Sequence, residues 1–239
     1  MAAPAVLSTL GRAALDLLFP PRCALCGRHG PALCDDCALA LPRANPPRCP
    51  HCWSPQRPGW GCRRCGEPVS GGLALEGLRS PYVFQAGARE LVHALKYNYH
   101  SALASPMGEL MARYLLGESL LADVLVPVPL HPRRQRVRGY NQSFLLAREV
   151  SRRLDLPLAA GALFRHRDTP PQARAVEADA RRRNMIGAFD CRPGAVAGRR
   201  VLLVDDVTTT GATLDACARV LLAEGGASAV WALTFARED

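Results

Sequence analysis

Lysine is almost absent from this chain: of 30 basic residues, 29 are arginine and Lys96 alone is lysine. Compositional drift accounts for the arginines. A lysine that persists marks a position where a compact ammonium does what a planar guanidinium does not. Apolar runs are short too, and none approaches the roughly 18 residues of a membrane-spanning helix, so no membrane insertion is expected. Residues 1–19 lack the charged n-region and small-residue cleavage site of a secretion signal. The spacing of Leu7, Leu10, Ala14, Leu15, Leu17 and Leu18 instead predicts an amphipathic helix docked on the body of the protein. A cytoplasmic location is the resulting expectation. No GxxxxGK(S/T) phosphate loop occurs, which excludes that class of nucleotide site, and no internal repeat is found.

Charge and cysteine are what the chain has in excess. Its formal net charge is +9, with 21 acidic residues against the 30 basic ones. That balance favours a polyanionic partner, either nucleic acid or a phosphate-rich small molecule. Eight of the ten cysteines fall between residues 23 and 65, as four CxxC pairs: Cys23 and Cys26, Cys34 and Cys37, Cys49 and Cys52, Cys62 and Cys65. A CxxC turn puts two thiolates on one side of a metal, and two such turns complete a tetrahedral Zn2+ site. Four turns therefore predict two structural Zn2+ sites. Sequential assignment pairs the first turn with the second and the third with the fourth; a cross-braced assignment is the alternative. His51, inside the third turn, is a substitute ligand or a solvent-facing residue. A disulfide framework is disfavoured without a secretion signal. Arginines around the turns, with Trp53 and Trp60, either form a basic stacking surface for single-stranded nucleic acid or pack the small module. Cys191 and Cys217 stand apart and read as buried small hydrophobes.

Beyond about residue 70 the pattern changes to alternating strands and helices. Strands are predicted at 82–86, 124–130, 162–165, 200–205 and 229–235. Helices are predicted at 88–97, 103–116, 143–154 and 212–224, with 173–184 either helical or a polar flap. The fold class is α/β: a mostly parallel sheet flanked by helices with right-handed crossovers, joined to a small N-terminal zinc-ribbon module with four cysteines to a site. The expected domains are 1–70 and 71–239.

The segment VLLVDDVTTTGAT at 201–213 carries the most chemistry. A buried strand delivers Asp205 and Asp206 at its C-terminal end, where ligands bind in open α/β sheets. Thr209, Thr210, Gly211, Ala212 and Thr213 then form a turn that opens into a helix N-terminus, a ready phosphate site. A ribose 5-phosphate needs both parts: carboxylates for its hydroxyls, and hydroxyl and N–H donors for its phosphate. The run resembles the signature of type I phosphoribosyltransferases for 5-phosphoribosyl-1-pyrophosphate (PRPP). That resemblance assigns Asp205 and Asp206 to the ribose hydroxyls and residues 209–213 to the 5′-phosphate. Upstream, VPVPL followed by HPRRQRVRGYNQ reads as a basic loop for pyrophosphate, with Arg133, Arg134, Arg136, Arg138 and Gly139 as candidates and Lys96 grouped with them.

Six stretches in order extend the likeness to nearly the whole chain: LLFPPRCALCG, LKYNYH, VPVPLHPRRQRVRGYNQS, RHRDTPPQ, RRRNMIGAF and the phosphoribosyl signature. Together they are similar to the ComF family, which joins an N-terminal double zinc ribbon to a type I phosphoribosyltransferase-like, Rossmann-like domain. The departure is Thr208, where the family more often has an aromatic or aliphatic residue. The resemblance implies PRPP binding with Mg2+, a role in DNA uptake during natural transformation, single-stranded DNA as a partner, and contact with uptake machinery. It also makes 165–184 a flap, with Arg165, Thr169 and Gln172 as contacts; a surface helix is the alternative there. Two rival functions stand beside this one: an active phosphoribosyltransferase with an unidentified acceptor, and a non-catalytic PRPP-sensing adaptor. No acceptor-base hood is recognisable.

Overall fold

The structure, a computed structural model, describes residues 21–57, 62, 73–97, 100–118, 120–167 and 187–239. The expected N-terminal helix, Trp60, Cys65, Thr169, Gln172 and the segment 173–184 lie outside the described residues.

Apolar, β-branched runs become buried strands. β3 (Val124–Pro127), β6 (Arg200–Thr208) and β7 (Ala229–Arg237) pair in parallel, with Val126 beside Leu203 and Asp205 beside Thr234. Two short strands, β1 (Gly77–Arg79) and β2 (Tyr82–Val83), lie in succession along the free edge of β7, also in parallel. The sheet order is β1-β7-β6-β3, with β2 on β7. Runs buried on both faces suit a parallel sheet covered by helices on each side. Strand alternation divides the core accordingly. Leu202, Val204 and Leu125 join a cluster with helices on one face, whereas Val201, Leu203 and Val126 join another on the opposite face.

The first face is covered by α2 (Ala86–Tyr97), α3 (Ala104–Leu115) and α5 (Gln142–Leu154), and the second by α6 (Ala212–Ala223). Leu91, Leu95, Met107, Met111 and Leu146 are fully buried on the first face, each worth about 1.5–3 kcal/mol relative to exposure. Helices α3 and α5 touch closely at Gly108, where an added Cβ would stand 2.5 Å from Glu149 Cβ. Arg153 clasps the pair, donating to Glu149 at 2.8 Å and to Glu109 at 3.0 Å.

Several elements differ from the expectations drawn from sequence. The strand expected at 82–86 stops at Val83, and Ala86 already begins α2. Strand β4 (Leu163–Arg165) does not join the main sheet; it pairs antiparallel with β5 (Phe189–Cys191), which was not foreseen. The basic loop is a helix, α4 (Pro132–Arg138). His131 caps it, accepting from the Arg133 N–H at 3.3 Å, Pro132 occupies the first turn, and Gly139 ends it at φ 83°. These are ordinary start and stop signals, outweighed in the sequence reading by the density of charge.

The cysteine module, with its single described helix α1 (Asp35–Leu39), is stitched to β1 and the end of β7. Trp53 is 7% exposed and donates its indole N–H to the Ser80 carbonyl at 2.8 Å. Arg48 makes two 2.8 Å bonds to the Asp239 carboxylate. The buried Arg237 donates to Ser54 Oγ at 2.9 Å. Trp53 is therefore a packing residue rather than a stacking platform.

Candidate functional site

Two groups of residues come together with chemical purpose. The first is the cysteine module. The Sγ atoms of Cys23, Cys26, Cys34 and Cys37 all lie within 4.8 Å of one another, and those of Cys49, Cys52 and Cys62 form a second such group. A tetrahedron with metal–sulfur bonds of about 2.3 Å has edges of about 3.8 Å. Cys26 and Cys34 are 3.8 Å apart and Cys52 and Cys62 are 3.5 Å apart. The donor set fits Zn2+ and follows the sequential pairing; Cys65, the expected fourth ligand of the second group, lies outside the described residues. Arg28 donates to Cys26 Sγ at 3.4 Å and to Cys34 Sγ at 3.7 Å, and its side-chain hydrogen bond lowers the Cys26 pKa. His51 stands outside the second group, its Nδ1 3.4 Å from the Glu76 carbonyl. Four thiolates around one ion, as the first group offers, would leave no open coordination position.

The second group lines a cleft of about 540 Å³ at the C-terminal ends of β3 and β6. Seven of the foreseen residues line it, Lys96, Arg133, Arg134, Arg138, Arg165, Asp205 and Asp206, with Thr213 at the start of α6 as an eighth; Arg136 does not. Asp205 and Asp206 lie near the C-terminal end of β6, within reach of the first turn of α5 and the last turn of α2. Asp205 accepts a 2.6 Å bond from Ser143 Oγ in the first turn of α5, and the Asp206 N–H donates to it at 2.9 Å. Burial, reinforced by the Asp206 charge, lifts the Asp205 carboxyl from its ordinary 3.8 to about 7, against the pull of Ser143 and Lys96. Asp206 faces α2, where Lys96 Nζ reaches Oδ2 at 2.8 Å. Lys96 was grouped with the arginines; it is the counter-ion of the acidic pair instead.

Thr209, Thr210, Gly211 and Ala212 do not line the cleft among the described residues; they build the turn that leads to Thr213. Gly211 sits at φ 84°, a backbone state costly for residues with a Cβ. Thr210 Oγ1 accepts from the Ala212 N–H at 3.3 Å, bracing the helix start. Thr208, the departure from the family pattern, is buried at the end of β6 before this turn. Across the cleft, α4 presents Arg133, Arg134, Val137 and Arg138 on one side. Gly139 is the cap that ends this helix and does not itself line the cleft. Arg165 ends β4, its guanidinium 5.2 Å over the Phe189 ring.

Sequence reasoning placed Asn141 and Gln142 in the basic loop and Ser143 at a helix start, and gave none of the three a role. Asn141 caps α5 through the Ser143 N–H and donates to the Val128 carbonyl at 3.0 Å, fixing the polar start of the helix against β3. The signal was there: three polar residues in a row before a helical pattern. Cys191 and Cys217 are buried with their thiols pushed up by burial, as expected of inert cysteines.

Comparison with known proteins finds a family match for each of the two regions. A phosphoribosyl transferase domain model matches residues 141–238, and a double zinc ribbon domain model matches 14–66. DNA utilization protein YhgH of Escherichia coli O157:H7 is 34% identical over 230 residues, covering 91% of this chain and 98% of that protein. Competence protein ComFC of Bacillus subtilis is 28% identical over 212 residues, 86% of this chain and 84% of its own. Competence protein F of Haemophilus influenzae is 42% identical over 103 residues, 42% of this chain and 44% of that protein.

Proposed function

This chain belongs to the ComF family, and from that premise we propose that it binds PRPP with Mg2+ in the cleft and serves in the handling of single-stranded DNA in the cytoplasm during natural transformation. The observation that carries the first half is the opposition of a buried acidic pair to a basic helix across one cleft. Asp205 and Asp206 accept from the ribose hydroxyls. The turn 209–213 and the α6 N-terminus hold the 5′-phosphate by N–H and hydroxyl donors. Arg133 and Arg138 attract the pyrophosphate. Arg165, with Thr169 and Gln172, closes over the sugar. Mg2+ brought in with PRPP would neutralise negative charge on the pyrophosphate, and Asp205 and Asp206 are the cleft carboxylates that would hold it. The zinc ribbons form a domain over 1–70, and the α/β body one over 71–239.

The reading of DNA handling is supported by the names of the relatives and by the net charge of +9. Uptake-machinery proteins are its expected protein partners.

Calorimetry of PRPP with Mg2+ tests the first half. The variant Asp205→Ala, Asp206→Ala, checked for zinc content and cooperative unfolding, should lose at least tenfold in affinity; equal affinity would overturn the assignment. For the second half, affinity for a single strand should fall steeply between low and moderate salt, and absent or salt-independent binding would remove it. Pyrophosphate release with a panel of nucleobases would make the protein a transferase. Partners captured only with PRPP, without turnover, would make it a sensing adaptor.

A further inference from the structure

The cleft lining combines two chemistries. Asp205, Asp206, Lys96 and the arginines of α4 are charged, whereas Tyr97, Pro129, Leu130 and Val137 add apolar surface. A phosphorylated sugar is satisfied by carboxylates, guanidinium groups and helix amides, so the apolar surface is left for something else. Two of its residues are open to solvent, Tyr97 at 62% and Val137 at 79%. Among the described residues Tyr97 is the one aromatic ring lining the cleft.

That ring is held in place. The Arg138 guanidinium lies 5.4 Å from its centroid, and Arg138 is itself hydrogen-bonded to Gln142. The His93 ring packs at 5.9 Å. Two residues earlier, the Leu95 carbonyl accepts from the Tyr140 hydroxyl at 2.6 Å, tying the end of α2 to the turn after α4. A ring that is braced, yet largely open to solvent, is a low-entropy stacking surface, and a neighbouring guanidinium adds attraction for a phosphate or a π-face. The zinc module offers no equivalent among its described residues, because Trp53 is buried.

We infer that Tyr97 is the stacking platform of a nucleobase subsite at the mouth of the cleft, bounded by Val137 and flanked by Arg134 and Arg138. The ligand is a flat heterocycle. It is either free or carried by a single strand whose phosphates meet those arginines. The subsite adjoins the ribose position proposed above and rests on that reading only for its orientation.

The test uses the full, zinc-loaded chain and variants Tyr97→Leu and Tyr97→Phe, with thermal unfolding as the folding control. Fluorescence anisotropy compares a labelled thymidine dodecamer with an abasic strand of equal length and charge. Tyr97→Leu should weaken the dodecamer roughly 5- to 100-fold, leave the abasic strand unchanged, and Tyr97→Phe should stay within about twofold of wild type. Saturation-transfer NMR with free nucleobases separates the sources. A Tyr97-dependent signal from free bases, with strand binding unaltered, assigns the subsite to a free base and upholds it. Strand and free-base binding both indifferent to Tyr97→Leu would overturn it. PRPP calorimetry on the same proteins distinguishes the two readings: Tyr97-dependent stacking without PRPP binding upholds the subsite and removes the phosphoribosyl reading.

Discussion

Lys96 Nζ stands 2.8 Å from Asp206 Oδ2, the carboxylate side chain 3% exposed and the lysine 18%. The chain's single lysine thus neutralises a buried acid 110 positions away, at the end of the strand that carries the acidic pair. Removing it strands a buried charge. Lys96→Met should cost on the order of 2–4 kcal/mol in denaturant unfolding at pH 8, the lower end reflecting the lysine's partial exposure. The double variant Lys96→Met, Asp206→Asn should recover most of that loss. Full additivity of the two single effects would show that the pair is not coupled.

Asp205 predicts a pH dependence of known sign. Its folded pKa is raised from 3.8 to about 7, so the folded state holds a proton that the unfolded chain has released. The stability tied to that proton is complete below about pH 4 and is lost as pH rises to about 7. Asp205→Asn does not titrate and keeps an oxygen for Ser143 Oγ and the Asp206 N–H. Across that window the variant should therefore gain stability relative to wild type, by at most about 4 kcal/mol for a shift of roughly three units. Parallel stability–pH curves for the two proteins would refute the assignment.

Ser54 links the second cysteine group to the sheet, its Oγ 3.1 Å from Cys52 Sγ and accepting from Arg237 at 2.9 Å. Ser54→Ala removes the shared partner of a ligand thiol and a buried guanidinium. It should destabilise the protein by about 1–3 kcal/mol and weaken zinc retention at that group roughly 10- to 100-fold. Chelator-driven release should become biphasic, with the phase from Cys23, Cys26, Cys34 and Cys37 unchanged.

Gly108→Ala should destabilise although alanine is the better helix former. The gain in propensity is about 1 kcal/mol. It is outweighed by the 2.5 Å approach to Glu149 Cβ, which sits on the α5 backbone and cannot swing aside. A net loss of about 1–3 kcal/mol in chemical denaturation is expected.

Local chemistry was legible where neighbours in sequence act together. CxxC spacing places two thiolates on one turn, and the run from Val201 to Thr213 sets strand, acids and turn in direct succession. Where a residue's partner is distant, the sequence was silent. Lys96 read as another cation for a basic site, because nothing local says that α2 delivers it to Asp206. The short strands β1 and β5 have no periodicity of their own; each exists because a distant strand offers it hydrogen bonds. Helix α4 was legible in His131, Pro132 and Gly139, but its charge was read as loop.

By itself, then, the sequence determined the CxxC pairs, the run that resembles the phosphoribosyl signature and the α/β class, since each rests on covalent spacing or on strand and helix periods. Only the tertiary structure decided which charges oppose which across the cleft, that Trp53 is interior, and that Tyr97 stands open at the mouth. Those outcomes depend on sheet order and on which faces the helices bury, and no local spacing encodes them.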